Sequence, residues 1–222
     1  MSGQTRPVTR WRWVTLGALA GVLNSNFVLE SLLPGSAGRA VSELSVPGQP
    51  WSMAFRICDG SSAVLVMVLA AGLLRAGRRA PGQVAGAWLL LVTGATTLVS
   101  ALVPLTCLAT AGPVCASSPP GSAAPLPNLV HDGVSITGTT AAILAAALLA
   151  AVSTGRQRWA HAVAFVAAGG LGLALAVGAQ GQVPAWFGVT QRAQILVLSL
   201  WFVVVGYCLA SPARRAAGTM AP

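Results

Sequence analysis

Long apolar runs constrain this chain more than any other feature in it. Six stretches, about 11–33, 56–74, 83–103, 129–152, 159–177 and 190–210, approach the length needed for a helix to cross a bilayer. That length is roughly 20 residues at 1.5 Å of rise each. The runs are nearly continuous, without the polar stripe that marks a surface helix of a soluble protein. Charged residues make up only 8% of the 222, about a third of the share usual in soluble domains, and that is too few to cover a water-facing surface. The expected fold is all-α: a polytopic transmembrane bundle of six helices forming a single integral membrane domain over 1–222.

Breakers separate the runs. Pro34-Gly35, Pro47-Gly48 and Pro50 lie in a first loop (34–55), and Pro104 opens a long Pro/Ser/Ala-rich loop (104–128). Gln180 to Pro184 mark a third loop (178–189). Arg6, Arg10 and Arg12 precede the first run like the charged start of a signal peptide. That run is longer than a signal h-region and no clean small-residue cleavage site follows, so an uncleaved helix is expected.

Orientation follows from the arginines. With the amino terminus inside, ten of them (6, 10, 12, 75, 78, 79, 156, 158, 214 and 215) fall on one side, and only Arg39, Arg56 and Arg192 on the other. All four acidic residues, Glu30, Glu43, Asp59 and Asp132, then lie on or near the outer side. An even number of spans brings the carboxyl terminus back to the arginine-rich side. Both termini are therefore expected in the cytoplasm of a multi-pass plasma-membrane protein. The formal charge of +9 is absorbed by this pattern. It forms no basic stripe with interleaved aromatics, so nucleic acid is not an expected partner. The cations other than histidine are all arginine, and with the abundance of Ala, Gly, Val and Pro this fits a GC-rich bacterial genome.

Small residues recur every four positions at Gly138, Ala142, Ala146 and Ala150, and in shorter form at Gly17/Gly21 and Ala168/Gly172. This spacing lets helix backbones approach closely in lipid. The fourth-run ladder is the fullest of the three. Cys107 and Cys115 lie in the predicted outer loop, where an oxidising exterior favours a disulfide between them. Seven intervening residues permit the required Cα approach. Cys58 and Cys208 read as small apolar packing residues. No metal site is expected, because only His131 lies near the loop thiols and a structural site needs about four ligands.

The polar residues that could carry a function gather near the outer helix ends. They are Asn24, Asn26 and Glu30 on the first run, Arg56 and Asp59 on the second, His131 and Asp132 on the fourth, and Gln191, Arg192 and Gln194 on the sixth. Arg56 and Asp59 are three apart and can pair on one helix face, and Asn26 and Glu30 share a face. Ionisable groups near hydrocarbon turn toward the bundle interior and one another. Two readings of this layer are open: a salt-bridge clasp ordering the helix ends, or an outward-opening pocket for a polar head group. A catalytic set is hard to assemble. The chain has two histidines, and His161, beside Trp159, reads as an interfacial anchor at the opposite end. A nucleophile elbow, a P-loop, a dinucleotide fingerprint and an HExxH pair are all missing, so no cofactor is expected. A triad of His131, Ser135 and Asp59 or Asp132 suffers from adjacent helical residues pointing apart.

The stretches Asn24-Ser25-Asn26-Phe27-Val28-Leu29-Glu30, Leu33-Pro34-Gly35, Val41-Ser42-Glu43-Leu44 and Phe55-Arg56-Ile57-Cys58-Asp59-Gly60 resemble the start of the DUF998 family. The Cys107–Cys115 loop, His131 and the run Ser135 to Thr140 resemble its middle section. The resemblance implies a bacterial six-helix membrane protein and draws attention to Arg56, Asp59 and His131, but supplies no substrate. The layout is more distantly similar to that of eukaryotic Frag1/DRAM/Sfk1-type proteins, and shared architecture does not transfer function. The expected function is binding of a lipid or envelope molecule through the outer polar layer, or support of a membrane complex. Membrane lipids are the expected partners, with other membrane proteins second. The alternatives are a lipid-modifying enzyme using His131 and Asp59, and a small transporter, which the apolar midplane disfavours.

Overall fold

The structure is a computed structural model and describes residues 8–30, 39–76, 80–106, 126–179 and 186–211. Among these the chain forms six α-helices and no strand: α1 Val8–Asn24, α2 Ser52–Arg75, α3 Pro81–Leu102, α4 Leu126–Val152, α5 Gly155–Gly178 and α6 Phe187–Ala210. Five of them, α2 to α6, are long and apolar enough to cross a membrane. The first is shorter. Its 17 residues span about 26 Å, and it ends at Asn24 rather than continuing to Leu33. Ser25 follows in a turn, and the chain tightens into a 3-10 turn over Asn26–Val28. A second 3-10 turn, Val41–Ser45, precedes α2. The polar run Asn24-Ser25-Asn26 accounts for the break, since such side chains compete with the helix for backbone partners.

Each helix packs on the next in sequence, and α6 returns to α1, so the six close into a ring. Backbone proximity makes the closure. A Cβ added at Gly17 would lie 2.5 Å from the Phe202 carbonyl oxygen, and one at Gly21 equally near that of Ser199. One added at Gly206 would collide with the Trp13 carbonyl. Here α1 and α6 touch backbone to backbone, which only glycine permits. The α4 ladder lies at its own seam. A Cβ on Gly138 would meet the Thr96 hydroxyl of α3, and Ala142, Ala146 and Ala150 are buried.

The interior is filled by Leu69 and Leu73 of α2, Leu90 of α3, the α4 alanines, and Trp201, Phe202 and Val205 of α6. Polar groups within the ring are matched locally. The Ser62 hydroxyl donates to the Ala20 carbonyl (2.8 Å), the Thr93 hydroxyl lies 3.2 Å from that of Gly138, and the Gln194 amide donates to that of Ala168 (3.0 Å). Such bonds are what a lipid-embedded bundle uses in place of water. Trp11, Trp51, Trp159 and Trp186 stand exposed near helix ends, where amphipathic rings settle at membrane interfaces. One end of the ring carries the starts of α1, α3 and α5 and the ends of α2, α4 and α6. This is the arginine-rich end, and the opposite end carries the acidic residues.

Candidate functional site

At the acidic end the structure divides the expected polar layer into separate contacts. Glu30, 3% exposed, accepts from Arg192 Nη2 at 2.7 Å, joining the segment after α1 to α6. Arg192 Nη1 also donates to the Arg39 carbonyl (2.7 Å), and Gln191 accepts from the Val41 amide (2.7 Å). The first loop is thereby tied to the start of α6. Asn26 turns the other way: its amide donates to Asp59 Oδ1 at 2.6 Å, joining the 3-10 turn after α1 to α2. Breakage of α1 at Asn24 explains why Asn26 and Glu30 meet different neighbours instead of sharing a face.

Arg56 and Asp59 do not pair. Arg56 reaches across to the last carbonyls of α3, donating from Nε to Ala101 (2.8 Å) and from Nη2 to Leu102 (3.3 Å). Helix C-termini leave such carbonyls unmatched, and a cation there is favoured by the helix dipole. His131 is buried between α3 and α4. Its Nδ1 lies 2.9 Å from the Val103 carbonyl, which can only accept, so Nδ1 carries the proton. The Ser100 hydroxyl lies 3.4 Å from Nε2 and 3.3 Å from the Ser135 hydroxyl. Ser100 is the member of this group that sequence reasoning missed; no local pattern links it to a residue on another helix. Asp132 is exposed and supplies no carboxylate to His131 among the described contacts. A Ser/His pair therefore exists without Asp132 beside it, and the carbonyl contact of His131 fastens two helix ends. Cys107 and Cys115 lie outside the described residues.

A cavity lies at the other end. It has a volume of about 590 Å³ and is lined by residues from all six helices, within the range typical of small-molecule sites. Arg75, Ala76, Ala80 and Ser153, at helix ends and turns, form its rim, and Gln157 stands in the first turn of α5. Leu73, Leu149, Val205 and His161 lie deeper, with Trp13 and Leu209 on the wall between α1, α2 and α6. Arg75 is the one charged side chain, histidine aside, among the described lining residues.

His161 is not the interfacial anchor expected from its neighbour Trp159. Trp159 is exposed, but His161 is 2% exposed and turned into the ring. Two residues on a helix are about 200° apart, so a lipid-facing Trp159 sends His161 inward. The indole N–H of Trp201 donates to His161 Nδ1 at 2.9 Å. An indole nitrogen can only donate, so Nδ1 is the bare nitrogen and Nε2 carries the proton. Nε2 lies 3.7 Å from the Cys208 sulfur, another lining atom. Cys208 is thus more than the packing residue its composition implies.

Comparison with known proteins bears on the whole ring. The sequence model of the protein family of unknown function DUF998 matches residues 18–207. The chain belongs to the DUF998 family. The match runs from past the middle of α1 to near the end of α6 and takes in the outer contacts and most of the cavity lining of this DUF998 protein. No curated protein and no solved structure is significantly similar to it, so the Frag1/DRAM/Sfk1-type likeness finds no counterpart there.

Proposed function

We propose that this DUF998 protein is a non-enzymatic, ligand-binding protein of the bacterial plasma membrane. It admits an amphipathic molecule into the ring from the arginine-rich end, while its outer polar layer serves as a structural clasp. One observation carries the reading: the cavity that all six helices line together lies at that end. Its lining mixes apolar side chains such as Trp13, Leu73, Leu149 and Val205 with polar ones such as Arg75, Gln83, Gln157 and His161, a mixture suited to an amphipathic guest. The outer layer supports the clasp of the two readings, because Glu30, Arg192, Asn26, Asp59, Arg56 and His131 are each engaged by protein partners. The arginine distribution supports an orientation with both termini and the cavity mouth in the cytoplasm.

Native mass spectrometry of protein extracted with its own membrane lipids tests this. Wild type is expected to retain a specific amphiphile. Ala76→Trp, which fills the mouth from an exposed rim position, is expected to lose it. Arg56→Ala with Asp59→Ala is expected to keep it at reduced stability. Loss in the double variant and retention in Ala76→Trp would return the ligand to the outer layer. Participation of every helix in the cavity also suits the inward vestibule of a small transporter. Counterflow of the retained molecule in vesicles, abolished by Ala76→Trp, would favour that second reading.

A further inference from the structure

Two polar side chains of the cavity lining, Gln83 and His161, are buried, and each is fastened at one end in a way that fixes what its other end can do. Gln83 lies in the first turn of α3, and its amide nitrogen donates to the Leu73 carbonyl of α2 at 3.3 Å. A carbonyl can only accept, so this contact decides which arm of the amide is nitrogen and which is oxygen. The oxygen has no hydrogen-bond partner among the described residues, yet no buried side-chain nitrogen or oxygen among them is sealed off without one. The oxygen therefore surfaces, and the void that Gln83 lines is where it does so. His161 shows the converse. The Trp201 N–H occupies Nδ1 at 2.9 Å, so the proton sits on Nε2. There it meets the Cys208 sulfur at 3.7 Å, a weak acceptor that an oxygen would outdo.

The cavity thus offers one acceptor from α3 and one donor from α5, and the Leu73 and Trp201 contacts hold each in its role. A guest that leaves either unmatched forfeits binding energy. We propose that the cavity selects a guest whose uncharged head both donates and accepts, a primary amide or a hydroxyl. Its N–H or O–H goes to Gln83 Oε1, and its oxygen accepts from His161 Nε2–H. The assignment rests on the cavity reading above and names its ligand class. A carboxylate or an ester has no hydrogen for Gln83, and an ammonium has no acceptor for His161. Arg75 is exposed at the rim, where the excess of arginines on the cytoplasmic side accounts for it.

The test uses full-length protein in a neutral detergent, titrated with four single-chain probes of matched length and read by native mass spectrometry. They are a primary alkyl amide, a primary alcohol, a fatty acid methyl ester and the fatty carboxylate. Wild type is expected to bind the amide or the alcohol about tenfold more tightly than the ester, the cost of leaving the Gln83 oxygen unmatched. The tighter of the two names the head group, and this ranking needs no variant. Gln83→Met removes the acceptor and should bring amide, alcohol and ester to near equality. His161→Phe should weaken all three several-fold, because each loses the same donor.

Ester bound by wild type as tightly as amide and alcohol would overturn the assignment and leave the cavity reading standing. So would a preference over the ester that survives Gln83→Met. Carboxylate as the tightest probe, weakened by Arg75→Gln, would overturn it in favour of an anion held at the rim. Failure of every probe to bind, or binding unaffected by Ala76→Trp, would sink the cavity reading itself.

Discussion

Replacing Arg192 by methionine removes the charge that holds Glu30 and keeps much of the side-chain volume. The Glu30 and Arg192 side chains are only 4% and 11% exposed, and they meet at 2.7 Å. Arg192 also donates to the Arg39 carbonyl. Removing one partner of such a buried pair costs about 3 kcal/mol or more. Removing both, as Arg192→Met with Glu30→Gln, should recover most of the loss, to within about 1 kcal/mol of wild type. The single and double changes should therefore show a coupling of about 2 kcal/mol. Unfolding in mixed micelles with rising SDS, followed by tryptophan fluorescence, measures it, because Trp201 is buried inside the ring and reports on its opening. A single variant within about 1 kcal/mol of wild type, with no recovery in the double, would refute the clasp. The outer layer would then be the better candidate for ligand binding.

The ring closure makes a contrast between two glycines. Gly206→Leu drives a side chain into the α1 backbone and should cost about 1–3 kcal/mol or more in the same assay. Gly170→Leu on α5 meets nothing within 4 Å and should be neutral or mildly stabilising; equal losses at both positions would argue against an α1–α6 seam. Arg56→Gln withdraws a charged donor from the α3 terminus, with an expected loss of about 1.5–3 kcal/mol. Hydrogen exchange should quicken at the Val103 amide, which bonds to Val99 in that last turn, and unchanged exchange there would contradict the capping role.

The helices were legible because hydrophobic length is a local property. Their ends were less so. The first run reads as apolar well past Asn24, but Asn24-Ser25-Asn26 unwinds it, and that early stop sends Asn26 to Asp59 and Glu30 to Arg192. The outer polar residues could be listed from sequence, although their partners could not. Arg56 prefers backbone carbonyls on α3 to Asp59 three residues away, and an acceptor of that kind has no signature in side-chain identity. The α4 ladder had the fullest spacing signal. The tightest approach nevertheless involves Gly17, Gly21 and Gly206, which are far apart in sequence and meet only because the ring closes. The inward turn of His161 could have been read from its two-residue separation from Trp159. The cavity could not, since it is assembled from the ends of six helices and leaves no motif in any one of them.

Photolabelling locates the ligand seat most directly. The amphiphile retained in native mass spectrometry, carrying a photoreactive group, would be mixed with the protein, irradiated, and its adducts mapped by peptide sequencing. Adducts are expected on Trp13, Leu73 and Leu209, reduced by the unlabelled amphiphile and absent from Ala76→Trp. Adducts confined to the lipid-facing surface of α5, at Val163, Val166 and Leu173, or to the outer contacts around Phe27 and Arg192, would contradict it.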